Sequence, residues 1–140
     1  MSSLNPYLNF NGNTEEAFNH YKAVFGGEFL TVMRFRDTPG CENMPEVEQD
    51  HIMHIALPLK GNILMGTDIP KSMEQAIFGT NISLSVNVES RGEADRVYNA
   101  LAEGGKAVMP LQDMFWGDYY GMLVDKFGVQ WMITHGPEKQ

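Results

Sequence analysis

The chain has 140 residues, of which 43% are hydrophobic and 20% are charged, and its formal net charge at pH 7 is −8. This composition is typical of a globular protein that is long enough to bury a substantial core. Only ten Lys and Arg residues stand against 18 Asp and Glu residues. Because nucleic-acid binding requires clustered positive charge, we expect no nucleic-acid partner.

The sequence contains no apolar run that approaches the roughly 20 residues of a membrane span. Its N-terminal part also lacks the basic segment followed by an apolar segment that is typical of a signal peptide. We therefore expect no membrane partner and a cytoplasmic location. The single cysteine, Cys41, excludes an internal disulfide and a cysteine-rich zinc site. It lies in a long acidic loop, residues 37–50, and we interpret it as a loop thiol.

The first half of the chain predicts one strand, one helix and three further strands. Residues 5–11 (NPYLNFN) alternate as a half-buried strand does. Residues 13–16 (NTEE) fit a capping box that begins a helix, and Gly26-Gly27 ends it. The three strands that follow are expected at residues 28–35, 51–59 and 63–67.

The second half of the chain repeats this order. Residues 81–87 (NISLSVN) match residues 5–11 in register through Asn, Leu and Asn. Residues 90–93 (SRGE) again fit a capping box, and Gly104-Gly105 end the second helix. The strands that follow are expected at residues 106–110, 122–125 and 129–134, and glycines in the connecting turns fit hairpins.

The chain therefore has the pattern βαβββ twice, which predicts an α+β fold. We expect a single domain over residues 1–140, with modules at about 4–68 and 81–135 and a linker at about 69–80. Two such modules can form a curved eight-stranded mixed sheet with the helices on its outer face. The concave inner face of that sheet would enclose a small ligand.

This doubled pattern resembles the vicinal oxygen chelate superfamily, which includes glyoxalase I, bleomycin-resistance proteins and extradiol dioxygenases. The segments NPYLNF, IALPLKGNILMGTD and FWGDYYGMLVDKFGVQWMI are similar to its PhnB-like branch. The resemblance covers essentially the whole chain. It implies a glyoxalase-like fold and, because many relatives pair, a homodimer.

Metal-using members of this superfamily hold a divalent ion with His or Glu on the first and last strands of each module. The register of the resemblance puts these positions near Pro6, Met65, Asn81 and Trp131. None of the four is a good ligand for such an ion. We therefore predict no cofactor and no metal-binding residues. A metal-dependent lyase or dioxygenase with ligands elsewhere stays an alternative.

Relatives of this branch are sometimes labelled as ubiquinone-pathway methyltransferases, and the sequence does not support that activity. The turn at Asn11-Gly12-Asn13 lacks the glycine spacing of a site for S-adenosylmethionine. The sequence leaves open whether the protein is an enzyme. If it is one, we expect a lyase, isomerase or dioxygenase of the glyoxalase-like class.

His54 and Asp68 are the candidate catalytic residues. They lie on adjacent predicted strands, and hairpin pairing would put them about level. They could form an acid/base pair that faces the ligand, or a buried structural pair. The first reading makes a metal-free acid/base enzyme a second alternative.

The two tryptophans are candidates for ligand contact. The resemblance aims Trp131 at the inside of the concave face, where its flat apolar ring would replace a metal ligand. The alternation of Val129, Trp131 and Ile133 also fits ordinary core. The predicted ligand-binding residues are Tyr7, Asn9, Met65, Asn81, Trp116, Tyr120 and Trp131. The sequence thus predicts a PhnB-like protein that binds a small hydrophobic or aromatic molecule without the usual divalent metal.

Overall fold

The strands and helices follow one another in the predicted order in a computed structural model, which describes residues 3–136. The strands are β1 (Tyr7–Phe10), β2 (Thr31–Arg34), β3 (Ile52–Leu59), β4 (Asn62–Asp68), β5 (Leu84–Asn87), β6 (Lys106–Asp113), β7 (Tyr119–Val124) and β8 (Gln130–His135). The helices are α1 (Thr14–Phe25), α2 (Glu46–Gln49) and α3 (Arg91–Ala102). The acidic loop contains α2 and two 3-10 turns, Phe35–Asp37 and Cys41–Asn43. Within residues 3–136, no helix is both long and apolar enough to cross a membrane.

Each half of the chain forms its own mixed sheet. The strand orders are β1-β4-β3-β2 in the first half and β5-β8-β7-β6 in the second. In both sheets the first strand pairs parallel with the last, and the remaining pairs are antiparallel. The chain divides into two compact units, Met1–Ile77 and Phe78–Gln140. The predicted α+β fold of two βαβββ modules is therefore confirmed, and the single-domain boundaries stay a prediction.

In the first module, α1 packs on one face of the sheet. Ala17, Phe18 and Tyr21 recur at helical spacing and are fully buried. The ring of Phe18 meets that of Phe10 edge to face, with the centroids 6.5 Å apart. A Cβ atom at Gly66 would lie 2.6 Å from the Phe18 ring. Glycine on β4 therefore allows α1 to approach the sheet this closely.

In the second module, α3 covers one face of the sheet in the same way. Val97 and Leu101 are fully buried. The Tyr98 hydroxyl donates to the carbonyl oxygens of Met109 and Met122, at 2.9 and 3.0 Å. This one hydroxyl contacts both β6 and β7. Hydrogen bonding therefore holds α3 against the two strands in addition to apolar packing.

Asp68 at the end of β4 caps α1, and the predicted capping box at residues 13–16 is wrong. Asn13 makes no side-chain hydrogen bond as a cap. Instead, Asp68 Oδ1 accepts from the amides of Gly12 and Thr14, both at 3.0 Å, and from the Thr14 hydroxyl at 2.6 Å. Asp68 Oδ2 accepts from the amide of Ile52 at 2.8 Å. One carboxylate, 2% exposed, thus joins the start of α1 to the start of β3.

The cap of α3 and the β3–β4 hairpin are as predicted. Ser90 Oγ accepts from the amide of Glu93 at 3.0 Å, which is the predicted half of a capping box. At the hairpin, Lys60 and Gly61 both have positive φ, of 53° and 86°. This is the geometry of a tight turn between twisted antiparallel strands.

Trp131 lies in the core of the second module, and its predicted position facing a ligand is wrong. The residue is 1% exposed, and its indole N–H donates to Asp125 Oδ2 at 2.9 Å. Asp125 Oδ1 accepts from the amides of Phe127 and Val129, at 2.9 and 3.0 Å. A strand has a period of two, so Trp131 shares the buried face of β8 with Ile133. The alternation of buried residues along the strand predicted the position of Trp131 correctly, whereas the register taken from the resemblance did not.

We predict that Asp68→Asn lowers the free energy of unfolding by about 3 kcal/mol. An amide nitrogen would replace one acceptor oxygen and would face a backbone N–H that now donates to the carboxylate. Urea unfolding followed by circular dichroism measures the change. The matched control, Asp50→Asn, removes an exposed carboxylate and should leave stability nearly unchanged. Equal effects of the two substitutions would contradict the capping role.

We also predict that Trp131→Phe destabilises the protein by roughly 3 kcal/mol, because it leaves a cavity and removes the donor to a buried carboxylate. Trp116→Phe is the control, since Trp116 is 47% exposed and its replacement should change stability by less than about 0.5 kcal/mol. Thermal unfolding of the two variants measures the difference. A larger loss for the Trp116 variant would show that the core position assigned to Trp131 is incorrect.

Candidate functional site

The candidate site is the face of the first sheet that α1 does not cover, which we call the distal face. Successive residues of a strand point to opposite faces, so every second residue belongs to it. Leu64 and Gly66 lie on the face covered by α1 and are buried. Strand pairing places the following residues together on the distal face: Tyr7, Asn9, Met33, His54, Met65 and Thr67.

Tyr7 and His54 form a hydrogen-bonded pair on the distal face. The Tyr7 hydroxyl lies 3.2 Å from His54 Nδ1. The two rings have centroids 5.7 Å apart and planes tilted by 30°. Tyr7 is 44% exposed and His54 is half-buried. A phenol and an imidazole from β1 and β3 therefore present one continuous polar and aromatic surface.

The environment keeps the Tyr7 hydroxyl protonated at neutral pH. Burial raises the pKa of Tyr7, whereas a hydrogen bond with Thr67 acts to lower that pKa, and the net shift is upward. Thr67 Oγ1 in turn donates to the carbonyl oxygen of Met53 at 2.8 Å. Tyr7 thus has polar neighbours on both β3 and β4.

Asp68 is not on the distal face, and the predicted His54–Asp68 pair is not formed. The pairing of Ile55 with Gly66 makes Thr67, the residue before Asp68, level with His54. Because a shift of one residue reverses the face, Asp68 points to the side of α1. There its oxygens accept the hydrogen bonds that cap the helix. Tyr7 is the hydrogen-bond partner of His54 instead.

Asn9 and Met65 do share the distal face with Tyr7. Met65 pairs with Tyr7 on one side and with Ala56 on the other, and it is half-buried. Asn9 is exposed and pairs with Thr67. The structure therefore brings together four of the residues that the sequence singled out: Tyr7, Asn9, His54 and Met65.

The second module carries an exposed aromatic group at the loop before β7. Trp116 is 47% exposed, and its ring centroid lies 6.2 Å from that of Tyr120. Phe115, 97% exposed, meets the Trp116 ring edge to face at 5.0 Å. The indole N–H of Trp116 donates to Asp118 Oδ2 at 3.1 Å. The predicted residues Trp116 and Tyr120 are thus neighbours, and Phe115 extends the group.

Tyr119 belongs to the opposite face of β7. Its hydroxyl donates to Asp95 Oδ1 on α3 at 2.6 Å, and the guanidinium of Arg91 lies 3.9 Å from the ring centroid. The hydrogen bond with Asp95 is the main reason that the pKa of Tyr119 is raised. Tyr120 therefore points to the face that α3 does not cover.

Asn81 and Trp131 belong to neither group. Asn81 is exposed and precedes β5, which begins only at Leu84. The prediction that Asn81 lies on a strand face is therefore wrong, and Trp131 is enclosed in the core as described above. The residues that sequence reasoning missed are Met33, Thr67 and Phe115. Thr67 could have been found, because it stands two residues after Met65 and must share its face.

The donor set of the described residues does not fit the divalent metal that the resemblance implies. The distal face offers one imidazole and no carboxylate. Across residues 3–136, no group of three or more His, Cys, Asp or Glu side chains is placed to hold an ion. The thioether of Met65 is too soft for a hard cation. No step of a mechanism is therefore assigned to a metal.

Comparison with known proteins identifies the family. A family model described as 3-demethylubiquinone-9 3-methyltransferase matches residues 2–134. The chain is 34% identical over 140 residues to protein YjdN of Escherichia coli, covering 94% of this chain and 93% of that protein. It is 38% identical to the crystal structure of protein PA1353 from Pseudomonas aeruginosa, with a TM-score of 0.86 and coverage of 99% and 100%.

Further solved structures place this family within a larger fold group. A putative 3-demethylubiquinone-9 3-methyltransferase, PhnB protein, from Bacillus cereus is 28% identical, with a TM-score of 0.78 and coverage of 96% and 100%. A glyoxylase/bleomycin resistance protein/dioxygenase domain from Frankia sp. shares the fold at 16% identity, with a TM-score of 0.66 and coverage of 98% and 99%. The fold of the chain is therefore that of the glyoxylase/bleomycin resistance protein/dioxygenase domain, and the chain belongs to the family of the matching model, to which the similar PhnB protein also points.

Proposed function

We propose that the protein binds a small hydrophobic or aromatic molecule on the distal face of its first sheet, without the divalent metal used by other members of the superfamily. The observation that carries this proposal is the Tyr7–His54 pair, whose rings are close and partly exposed. A few polar groups placed beside apolar side chains are typical of the lining of a ligand site.

The side chains around the Tyr7–His54 pair offer contacts that suit a bound ligand better than water. Met33 and Met65 are half-buried on the same face. Thioether side chains are flexible and polarizable, so they adapt to irregular apolar shapes. Tyr7 combines an apolar ring with a polar tip, which suits contact with a partly apolar molecule. The face thus offers apolar contact together with a few fixed polar groups.

The aromatic group of Trp116 and Tyr120 in the second module is a further candidate for ligand contact. Both rings are accessible in part, and Phe115 beside them is almost fully exposed. Neighbouring exposed apolar side chains mark contact surfaces, whereas singly exposed ones are ordinary. We propose that this group stacks on a planar ligand.

We do not propose methyl transfer as the activity of this protein, although the matching family model is described as a methyltransferase. A nucleotide-type methyl donor is commonly held by backbone amides where a strand leads into a helix. In this protein the amides of Gly12 and Thr14 at that turn donate to Asp68. Those donors are engaged within the chain.

A second candidate function is metal-free acid/base catalysis by His54, of the lyase or isomerase type. The specific observation in its favour is the 3.2 Å contact between His54 Nδ1 and the Tyr7 hydroxyl, which would orient the imidazole. Asp68, the partner expected from the sequence, has no part in it. The homodimer and the cytoplasmic location expected from the sequence stay predictions.

We predict that the purified protein contains substoichiometric divalent metal and binds aromatic ligands equally well with and without EDTA. A ligand present at 100 times its dissociation constant should stabilise the fold by about 2.7 kcal/mol. Elemental analysis and a thermal-shift screen of hydrophobic and aromatic metabolites measure both quantities. One tightly bound ion per chain, whose removal abolishes ligand binding, would overturn the proposal.

A matched pair of variants locates the binding surface. Met65→Asp should abolish the ligand-induced shift, because it puts a charge on the distal face. Val47→Asp adds the same charge at a position that is 69% exposed in α2, and it should keep the shift. The unfolding temperature of each variant without ligand shows whether the fold is intact. Retention of the full shift in the Met65 variant would exclude the distal face.

A further inference from the structure

We propose that the ligand of the distal face is a planar molecule with a weakly acidic hydroxyl group, a phenol or an enol, whose oxygen binds Nε2 of His54. This inference rests on the proposed function above and names the chemical class of its ligand. The geometry of the Tyr7–His54 pair and the absence of charge on the strand residues around it carry the inference.

One imidazole nitrogen of His54 is available to a ligand. Nδ1 of His54 lies 3.2 Å from the Tyr7 hydroxyl. Within residues 3–136, Nε2 has no hydrogen-bond partner from the protein. The ring orientation is thus held by Tyr7 through one nitrogen. The other nitrogen is left for a group outside the chain.

The partner of that imidazole is a hydroxyl group, that of Tyr7. A hydroxyl group carries one donor hydrogen and two acceptor lone pairs. The Tyr7 hydroxyl can therefore accept from Nδ1–H of His54, and in a neutral ring this tautomer leaves Nε2 unprotonated and able to accept a hydrogen bond. Tyr7 orients His54 without fixing its charge.

The strand positions that surround the Tyr7–His54 pair carry no charge. The residues beside His54 and Tyr7 on β1, β2 and β4 are uncharged: Asn9, Met33, Met65 and Thr67. Nε2 of His54 is therefore an imidazole nitrogen that a ligand can reach without meeting a charged side chain on these strand positions.

An unprotonated imidazole nitrogen in uncharged surroundings matches a ligand hydroxyl group that donates a hydrogen bond. The ligand O–H donates to Nε2 of the neutral ring, whose hydrogen is on Nδ1, and the proton can pass to Nε2 to leave a phenolate or enolate beside an imidazolium. Nδ1–H donates to the Tyr7 oxygen in both states. No proton is gained or lost by the complex. A carboxylate would be charged before it arrives, on a protein whose net charge is −8, so we favour the hydroxyl.

The test uses three probes of one shape: 4-nitrophenol, 4-nitroanisole and 4-nitrobenzoate. We expect 4-nitrophenol to bind about tenfold more tightly than 4-nitroanisole, which lacks the O–H. We also expect the absorbance of bound nitrophenolate to appear at lower pH than for the free probe. Calorimetry and a spectroscopic pH titration measure the two effects.

The variants separate hydrogen bonding from apolar contact. His54→Gln should remove the absorbance shift and reduce the preference for the phenol over the anisole by about tenfold. Tyr7→Phe keeps the ring but loses the hydroxyl, and it should weaken both effects while 4-nitroanisole still binds. His51→Gln is the matched control and should behave as the unaltered protein. Thermal unfolding without probe confirms that each variant is folded.

The binding results distinguish failure of the hydroxyl inference from failure of the proposed function. Equal binding of the phenol and the anisole, or an unchanged titration, overturns the hydroxyl inference and leaves the proposed binding function standing. Tighter binding of 4-nitrobenzoate than of 4-nitrophenol also overturns it, in favour of a carboxylate ligand. Failure of all three probes to bind the unaltered protein counts against the proposed function itself.

Discussion

The arrangement of the first module depends on one buried carboxylate. Asp68 accepts hydrogen bonds from the amides at the start of α1 and from the amide at the start of β3. These bonds hold the helix against one face of the sheet, where Phe18 lies over Gly66. Since α1 is committed to that face, the alternate residues of β1, β3 and β4 form a second face that their own helix does not cover. The Tyr7–His54 pair lies there because the helix lies on the other side.

Strand β4 shows how neighbouring residues take different roles. Gly66 and Asp68 face α1 and serve packing and capping, whereas Met65 and Thr67 face away and surround the Tyr7–His54 pair. The second module uses the same division. Asp125 binds the indole of Trp131 inside the core, and Tyr120 lies beside Trp116 on the other side of β7. A buried acid thus stabilises each module, and partly exposed aromatic rings are left for contact with other molecules.

Membership in a family and the chemistry of a site are separate conclusions. The family match rests on the whole chain, whereas activity depends on a few side chains, and one fold supports many functions. In this protein the amides at the first strand-to-helix turn are engaged by Asp68, and the described side chains form no cluster suited to a divalent ion. In the Tyr7–His54 pair, Nδ1 of His54 is held by Tyr7, and Nε2 has no hydrogen-bond partner among the described residues. For that reason we argue binding of a hydroxylated planar molecule from this pair rather than from the name of the family.

The sequence by itself determined the βαβββ repeat, the position of α3 and its Ser90 cap, and the hairpin at Lys60-Gly61, because periodicity, capping residues and glycines act over a few neighbouring positions. Only the tertiary structure decided which residues meet. Asp68 caps a helix that begins 54 residues earlier in the chain, and His54 pairs with a tyrosine 47 residues away. Such contacts depend on strand register, and a shift of one residue moves a side chain to the opposite face. For this reason the predicted face of Trp131 and the predicted partner of His54 were wrong, although the strands that carry these two residues were predicted correctly.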